Sequence, residues 1–320
     1  MMRITYIDFC KVFAMFLVTM AHCAQQLSGE IFPPLLVTKD AFISFNMAVF
    51  MTASGFVMNV DKMRISAIVD YLWSKTIRLI LPMTTWFLVF CIASNQFDVT
   101  QYWTCYWYLS AMFVCLATIC ILTRIVSQTW IICIVSVIIL SLLPFVLFER
   151  SCYMIPFLWI GYYLRRGILR IGLTTILWLA ALYAILYYFW DVSYSIYVTP
   201  FHIWEVDGYM LFAYVYRLII GAVGSILFIS LSCYLASHRV ASWIDKISKY
   251  GKYTLVFYTM SFVLNAILRR VMWHIGYLNT PGVLDLVAML IALAMMTLMF
   301  FFQKKVESSK ILRLLLLGEK

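Results

Sequence analysis

Three ionisable residues lie within one apolar stretch near the start of the chain. They are Asp8, Lys11 and His22, in the segment YIDFCKVFAMFLVTMAHC at residues 6–23. A charged group inside a membrane span is costly unless it is paired or hydrated, so such a residue indicates a functional site by default. An unperturbed histidine titrates at about pH 6.5, which suits a general base at neutral pH. The segment therefore predicts proton-transfer chemistry at His22.

The spacing of these residues predicts that they share one face of a helix. Each helical residue turns about 100° and rises about 1.5 Å, so Lys11 and His22 differ by about 20° around the axis and about 16 Å along it. Asp8 precedes Lys11 by one turn, where opposite charges can meet. In an alternative interpretation, Asp8 and Lys11 only anchor the helix at a membrane interface and His22 marks the opposite boundary.

The composition identifies the element that carries these residues as a membrane helix. The 320 residues are 65% hydrophobic and 12% charged, against about 25% charged in an average soluble domain. The apolar segments are long enough to cross a hydrocarbon core of about 30 Å as helices. We expect an all-α polytopic membrane bundle over residues 1–303, followed by an amphipathic basic tail over 304–320.

The net charge of +10 has two interpretations, nucleic-acid binding or membrane topology. Lys and Arg flank the apolar segments, which favours topology and membrane lipid as partner, with no nucleic acid. With the amino terminus inside, eighteen of these cations fall on one side and four on the other. Given an even number of spans, this bias predicts two cytoplasmic termini.

Ten apolar runs are predicted to span the membrane, and residues 61–75 to form an amphipathic segment on its surface. The first run is too long for a signal peptide and is expected to remain as a span. The predicted spans are 5–27, 41–59, 76–95, 106–124, 129–148, 153–164, 168–190, 210–235, 252–272 and 283–302.

The order of several short motifs resembles the acyltransferase-3 family of integral membrane acyltransferases. In that family an Asp is followed three residues later by Arg and, after ten intervening residues, by His; here these positions are Asp8, Lys11 and His22. The resemblance covers most of the chain. Further matching blocks are FNMAVFMTASGF with Ser54, Gly55 and Phe56, SKTIRLILP with Lys75 and Arg78, YWYLSAMF with Trp107, IPFLWIGYYLRRG, and GKYTLVFYTMSF with Tyr258.

Three positions depart from the family pattern. Lys11 and Lys75 stand where the family has Arg, which keeps the charge but loses the bidentate geometry of a guanidinium. Ser261 stands where many members have a His after the Tyr of the last motif. These departures leave open a family member that has lost catalysis.

The resemblance implies acyl transfer, commonly of acetyl from acetyl-CoA, to a sugar hydroxyl of a lipid-linked or cell-envelope glycan at the bacterial inner membrane, without a metal. His22 would act as general base or carry the acyl group itself, assisted by Asp8 and Lys11. The CoA phosphates need fixed cations on the cytoplasmic side. The candidates are Lys75, Arg78, Arg165 and Arg166, which ordinary positive-inside topology also explains.

Other polar and aromatic residues are candidates for binding the acceptor. Residues 191–209 combine aromatic rings with carboxylates, as a sugar-binding surface does, although an aromatic belt has the same composition. Arg217 lies within a predicted span, so we expect a partner among Glu205, Asp207 and Asp285. The candidate set is Trp107, Tyr258, His202, Glu205, Asp207, Arg217, and the pair Arg269 and Arg270, which would hold a diphosphate or contact lipid headgroups.

Two other functions compete with this interpretation. His202 and Asp207 have the H-x4-D spacing of glycerolipid acyltransferases, but that spacing arises often by chance and the Gly-rich block of those enzymes is not evident. A transporter or flippase for a lipid-linked sugar would also need intramembrane charges. Such proteins often consist of two related halves, and no internal repeat is evident here.

Overall fold

A computed structural model describes residues 4–30, 38–95, 97–143, 146–167, 172–199, 201, 204, 206–237 and 241–319. Helices dominate these residues and no strand occurs among them. In chain order the helices are α1 Thr5–Ser28, α2 Thr38–Phe56, α3 Val60–Ile65, α4 Ile68–Lys75, α5 Leu81–Ser94, α6 Tyr102–Cys105, α7 Trp107–Leu122, α8 Thr129–Ser141, α9 Val146–Arg165, α10 Leu173–Tyr188, α11 Gly208–Ala236, α12 Ala241–Ser248, α13 Thr254–Ile275, α14 Pro281–Glu307 and α15 Lys310–Leu317.

Five helical stretches within the described residues are long and apolar enough to cross a membrane. They are Thr5–Ser28, Ile68–Ser94, Gly208–Ala236, Ser242–Ile275 and Pro281–Glu307, and α7, α8 and α10 are shorter apolar helices. The all-helical membrane architecture is thus confirmed. The count of ten spans and the location of the termini stay predictions, as does the division at residue 303.

Three predicted boundaries are wrong. The third span was expected to begin at residue 76 after a separate surface segment, but α4 continues through a π-helical turn, Thr76–Ile80, into α5. The fifth span was expected to reach residue 148, yet α8 ends at Ser141. The sixth was expected to begin at 153, but α9 begins at Val146. Asp70 and Lys75 interrupt the apolar pattern inside the continuous stretch Ile68–Ser94, whereas residues 129–148 stay apolar across the end of α8. Hydropathy alone therefore does not locate these boundaries.

Two glycines allow α2 and α9 to cross closely. A Cβ atom on Gly55 would lie 1.9 Å from the carbonyl oxygen of Leu158, and one on Gly161 would lie 1.9 Å from that of Thr52. Any side chain at either position would clash with backbone. The crossing explains why glycine occupies these places in the Ser-Gly-Phe block and in IPFLWIGYYLRRG, since small residues let membrane helices approach.

Helix α1 occupies the middle of the bundle, between α2, α11, α13 and α14. It ends at Gly29, whose positive φ of 73° suits a glycine, and Leu27 O accepts a hydrogen bond from Leu278 N at 2.9 Å. Asp8 contacts Gly251 and His22 contacts Phe262. Residue numbers increase in the same direction along both segments at these two contacts, so α1 and α13 run parallel.

The carboxyl-terminal helix α15 packs against α5. Leu316 and Leu317 are buried, and the indole Nε1 of Trp86 donates to Leu316 O at 3.2 Å. A Cβ atom on Gly318 would lie 2.6 Å from the Cα of Arg78. The predicted amphipathic tail therefore places its apolar face on the helix bundle.

Candidate active site

Helix α1 is continuous across Asp8, Lys11 and His22, and all three side chains are half-buried. The one-sided stripe predicted from their spacing is therefore compatible with the structure. Asp8 lies at the end where α1 begins; there Tyr6 contacts Phe56 at the end of α2, with ring centroids 5.9 Å apart. His22 lies about 21 Å further along the helix axis, given 1.5 Å per residue. The stripe thus runs from the end of the bundle where α1 begins, near Asp8, to the end near His22. We call the first the cation end and the second the His22 end.

The imidazole of His22 is held by a residue of its own helix and a ring of α13. Its Nδ1 lies 2.9 Å from Oε1 of Gln25, and its ring centroid lies 5.3 Å from that of Phe262. An amide oxygen is an acceptor, so Nδ1 carries the hydrogen in this pair. The neutral ring then has its lone pair on Nε2, the nitrogen that can accept a proton.

The face of α13 that carries Phe262 also presents two unsatisfied polar atoms. Tyr258, Phe262 and Asn265 follow one another at helical spacing. The Tyr258 hydroxyl and Oδ1 of Asn265 are buried without a hydrogen-bond partner among the described residues. Leaving a buried polar atom unpaired costs about 1–3 kcal/mol. Such atoms, on the face of α13 whose Phe262 contacts His22, are suited to bind a polar ligand.

Ser261, at the position where the resemblance leads one to expect a His, is engaged within its own helix. Its side chain is fully buried, and Oγ donates to Tyr258 O at 2.7 Å. Nδ2 of Asn265 in turn donates to Ser261 O at 2.8 Å. The hydroxyl at position 261 is therefore engaged with the backbone of its own helix.

Aromatic rings connect the His22 region with a neighbouring pocket. Tyr258 contacts Phe262 at 5.4 Å and Tyr108 at 5.7 Å between centroids. Trp107 contacts Tyr108 at 6.4 Å and also the ring of Tyr197 at 6.2 Å. Trp107 lines a pocket together with Asn46 of α2, Tyr153 of α9, Tyr197 and Arg217 of α11. We call this the Arg217 pocket.

Arg217 lies in this pocket with only 1% of its surface exposed. Its Nη1 donates to Thr199 O at 2.6 Å and to Tyr194 O at 3.5 Å. The guanidinium stacks on two rings, 5.3 Å from the centroid of Tyr153 and 5.2 Å from that of Tyr214. Nε and Nη2 have no hydrogen-bond partner among the described residues.

The prediction that Asp207 is a carboxylate partner of Arg217 is wrong. The Asp207 side chain is exposed and caps α11, accepting from Met210 N at 2.6 Å. The carboxylate that acts electrostatically on Arg217 is Glu149 of α9. The hydrogen bonds of Arg217 go to backbone carbonyls, which sequence spacing does not reveal. Glu205, the other loop candidate, lies outside the described residues, as does His202.

The loop that supplies those carbonyls has an ordered turn. Oδ1 of Asp191 accepts from Ser193 N at 2.7 Å at the start of the short helix Val192–Tyr194. This hydrogen bonding holds the pKa of the Asp191 carboxyl below its usual value. The turn fixes Tyr194, one of the two residues that accept from Arg217.

The four predicted CoA-binding cations all lie at the cation end. Nζ of Lys75 lies 5.2 Å from the ring centroid of Tyr71, and the guanidinium of Arg166 lies 4.4 Å from that of Tyr162. Arg78, Arg165 and Arg166 are exposed. Lys62 and Arg78 act electrostatically on Lys75. Exposed cations at one end of the bundle suit a polyanion such as a nucleotide phosphate.

The last two candidate cations lie neither at the cation end nor in the Arg217 pocket. Arg269 and Arg270 are exposed on α13, one to two turns beyond the residues around His22. A diphosphate ligand there stays a prediction.

Four residues around the site were not among the predicted site residues. Gln25 follows His22 by three positions, so the neighbour spacing of a helix would have indicated it. Phe262 and Glu149 carry no such local signal, because each meets its partner through the tertiary fold. Arg150, counted only as a topological charge, lies 5.4 Å from the ring of Trp107.

Comparison with known proteins agrees with this arrangement. The acyltransferase-3 family model, which describes an acyltransferase domain, matches residues 4–302. Searches of curated proteins and of solved structures found no match to this chain. The matched range includes α1 with His22, the cations of the cation end and the Arg217 pocket. The chain therefore belongs to the acyltransferase-3 family.

Proposed function

We propose that this protein transfers an acyl group, acetyl in the simplest case, from cytoplasmic acyl-CoA to a hydroxyl of a lipid-linked or cell-envelope glycan in the bacterial inner membrane. The carrying observation is the half-buried His22, bonded through Nδ1 to Gln25 and packed on the face of α13 that presents the unsatisfied Tyr258 and Asn265. Family membership supports acyl transfer as the class of reaction.

His22 acts as general base in the direct reaction. Nε2 removes the proton from the acceptor hydroxyl as its oxygen attacks the thioester carbonyl, forming the C–O bond. The C–S bond then breaks, and the proton passes from the imidazolium to the departing thiolate, giving the ester and free CoA. In the two-step alternative the acyl group first bonds to the imidazole and then moves to the hydroxyl. Both routes require the same ring, oriented by Gln25.

The polar atoms on α13 would hold the acceptor. The Tyr258 hydroxyl offers a donor and the carbonyl of Asn265 an acceptor. A sugar has several hydroxyls that match such a pair. Both atoms are buried, so a hydrogen bond to the acceptor would recover the cost of leaving them unpaired.

The donor would bind at the opposite end of α1. Its phosphates would contact Lys75, Arg78, Arg165 and Arg166 through charge-assisted hydrogen bonds. Asp8 and Lys11 lie between these cations and His22 along the stripe, so we assign them to positioning the acyl-CoA rather than to the reacting atoms. The thioester would have to extend about 16 Å beyond Lys11 to reach His22.

The test supplies acetyl-labelled acetyl-CoA to membranes that contain the protein and follows the label into lipid-linked and surface glycan. We expect His22→Ala to reduce transfer by at least about 100-fold, as loss of a general base does. His274→Ala is the matched control because His274 is exposed near the end of α13. Undiminished transfer by His22→Ala would contradict the proposed role of His22. Glycan translocation without labelling would instead favour the flippase.

A further inference from the structure

The Arg217 pocket contains a guanidinium with one edge that bonds none of the described residues. In arginine, Nε–H and the Nη2 group point to the same side, forming a fork that matches two oxygens of a carboxylate or phosphate. These are the two nitrogens of Arg217 that bond no described residue, while Nη1 is engaged with Thr199 and Tyr194. The backbone contacts therefore hold the guanidinium and leave its bidentate edge for another partner.

The surroundings of Arg217 favour an anion over a neutral group. Arg150 lies over the Trp107 ring that lines the same pocket, and Glu149 is the carboxylate that acts on Arg217. Phe201 N donates to Oε1 of Glu149 at 3.3 Å, so part of this carboxylate is committed elsewhere. Two cations and one anion among the described residues give this region a local excess of positive charge. At low dielectric that excess attracts a negative ligand strongly.

The remaining walls combine aromatic rings with an amide. Trp107, Tyr153 and Tyr197 supply aromatic surfaces, and Asn46 supplies an amide. The pocket is connected to Tyr258 through Tyr108, whose ring centroid lies 6.4 Å from that of Trp107 and 5.7 Å from that of Tyr258. Tyr258 in turn contacts Phe262, which contacts His22. A ligand anchored at Arg217 could therefore extend toward the imidazole.

We propose that the Arg217 pocket binds an anionic group of the acceptor glycan, a sugar carboxylate or a sugar phosphate, through the Nε and Nη2 edge of Arg217. The identification of this ligand as the acceptor rests on the proposed acyl transfer. Binding of the anion itself does not. Glu149 acts as the competing internal anion and limits the affinity of the empty pocket for unselective small anions.

The experiment measures binding of three probes to the full-length protein in nanodiscs by titration calorimetry. The probes are glucuronic acid, glucose 1-phosphate and the neutral methyl glucoside. We expect at least one of the two anionic probes to bind tenfold or more tightly than methyl glucoside. The anionic probe that binds more tightly identifies the recognised group as a carboxylate or as a phosphate. Equal binding of all three probes would overturn the proposal.

The variants assign that selectivity to Arg217. Arg217→Gln is expected to abolish the preference for the anion, whereas Arg313→Gln, the same change in α15, is expected to keep it. Retained preference in Arg217→Gln would overturn the proposal. Glu149→Gln provides a second reading if Arg217→Gln does not fold, since removal of the competing carboxylate is expected to tighten anion binding severalfold. Unchanged or weaker binding by that variant would also count against the proposal.

One further variant separates this inference from the proposed function. His22→Ala is expected to bind the anionic probe as the wild type does, because His22 lies outside the Arg217 pocket. Acyl transfer that persists in His22→Ala, with intact anion selectivity, would refute the catalytic role and leave the binding site standing. Anion binding lost in His22→Ala would contradict a separate site at Arg217.

Discussion

The two ends of the bundle use charge in different ways. At the cation end Arg78, Arg165 and Arg166 are exposed. At the His22 end Arg217 is 1% exposed and is held by two backbone carbonyls. The first arrangement attracts a large polyanion from water, and the second selects one group by geometry. The number of cations therefore indicates topology, whereas burial and unpaired donors indicate a specific site.

The largest expected effect comes from disrupting the close crossing of α2 and α9. Gly161→Ala places a Cβ 1.9 Å from Thr52 O, and we expect destabilisation of about 3 kcal/mol or more because backbone must move. Gly208→Ala is the matched control, since its Cβ meets nothing within 4 Å. Thermal unfolding in detergent should show a lower Tm for Gly161→Ala only. Equal Tm values would contradict the close crossing of α2 and α9.

A second prediction tests the cation end. We expect Lys75→Ala to raise the KM for acetyl-CoA about tenfold with little change in kcat, because a charge-assisted bond contributes about 1.5–3 kcal/mol. Lys304→Ala is the control: Lys304 also lies over a ring of its own helix, 4.6 Å from Phe300. Steady-state kinetics on labelled acetyl-CoA measure both variants. A similar KM in both would mean that the cations serve topology alone.

A third prediction concerns the orientation of His22. We expect Gln25→Leu to lower kcat about tenfold, since the ring loses the acceptor that orients Nδ1. Gln25→Glu adds a carboxylate, which raises the pKa of the imidazole. The base form then requires a higher pH, so the acidic limb of the pH profile moves upward. Gln26→Leu is the neighbouring control. An unmoved pH profile in Gln25→Glu would exclude His22 as the titrating base.

The smallest effect is expected at the exposed pair on α13. Arg269→Ala and Arg270→Ala should change kcat by less than about twofold, because exposed charges contribute little. The KM of each variant for a lipid diphosphate-linked acceptor should rise by at most about threefold. A tenfold rise with that acceptor, but not with a soluble glycan fragment, would assign these residues to the diphosphate.

The sequence predicted the parts of this arrangement that depend on local spacing. The stripe of Asp8, Lys11 and His22 follows from the period of one continuous helix, and hydropathy indicated the membrane class. The sequence did not predict contacts between distant segments. His22 meets Phe262 from another helix, and Arg217 is held by carbonyls of a loop, which no side-chain pattern encodes. The boundary at Ile68 was missed because Asp70 and Lys75 interrupt the apolar pattern within one continuous helical stretch.

The central claim is that the acyl group passes from the cation end to the His22 end across the membrane. Proteoliposomes with one orientation of the protein would receive labelled acetyl-CoA on one side and acceptor glycan on the other. We predict His22-dependent labelling only when acetyl-CoA faces Lys75 and Arg78 and the glycan faces the opposite side. Equal labelling with donor and acceptor on the same side would contradict the account.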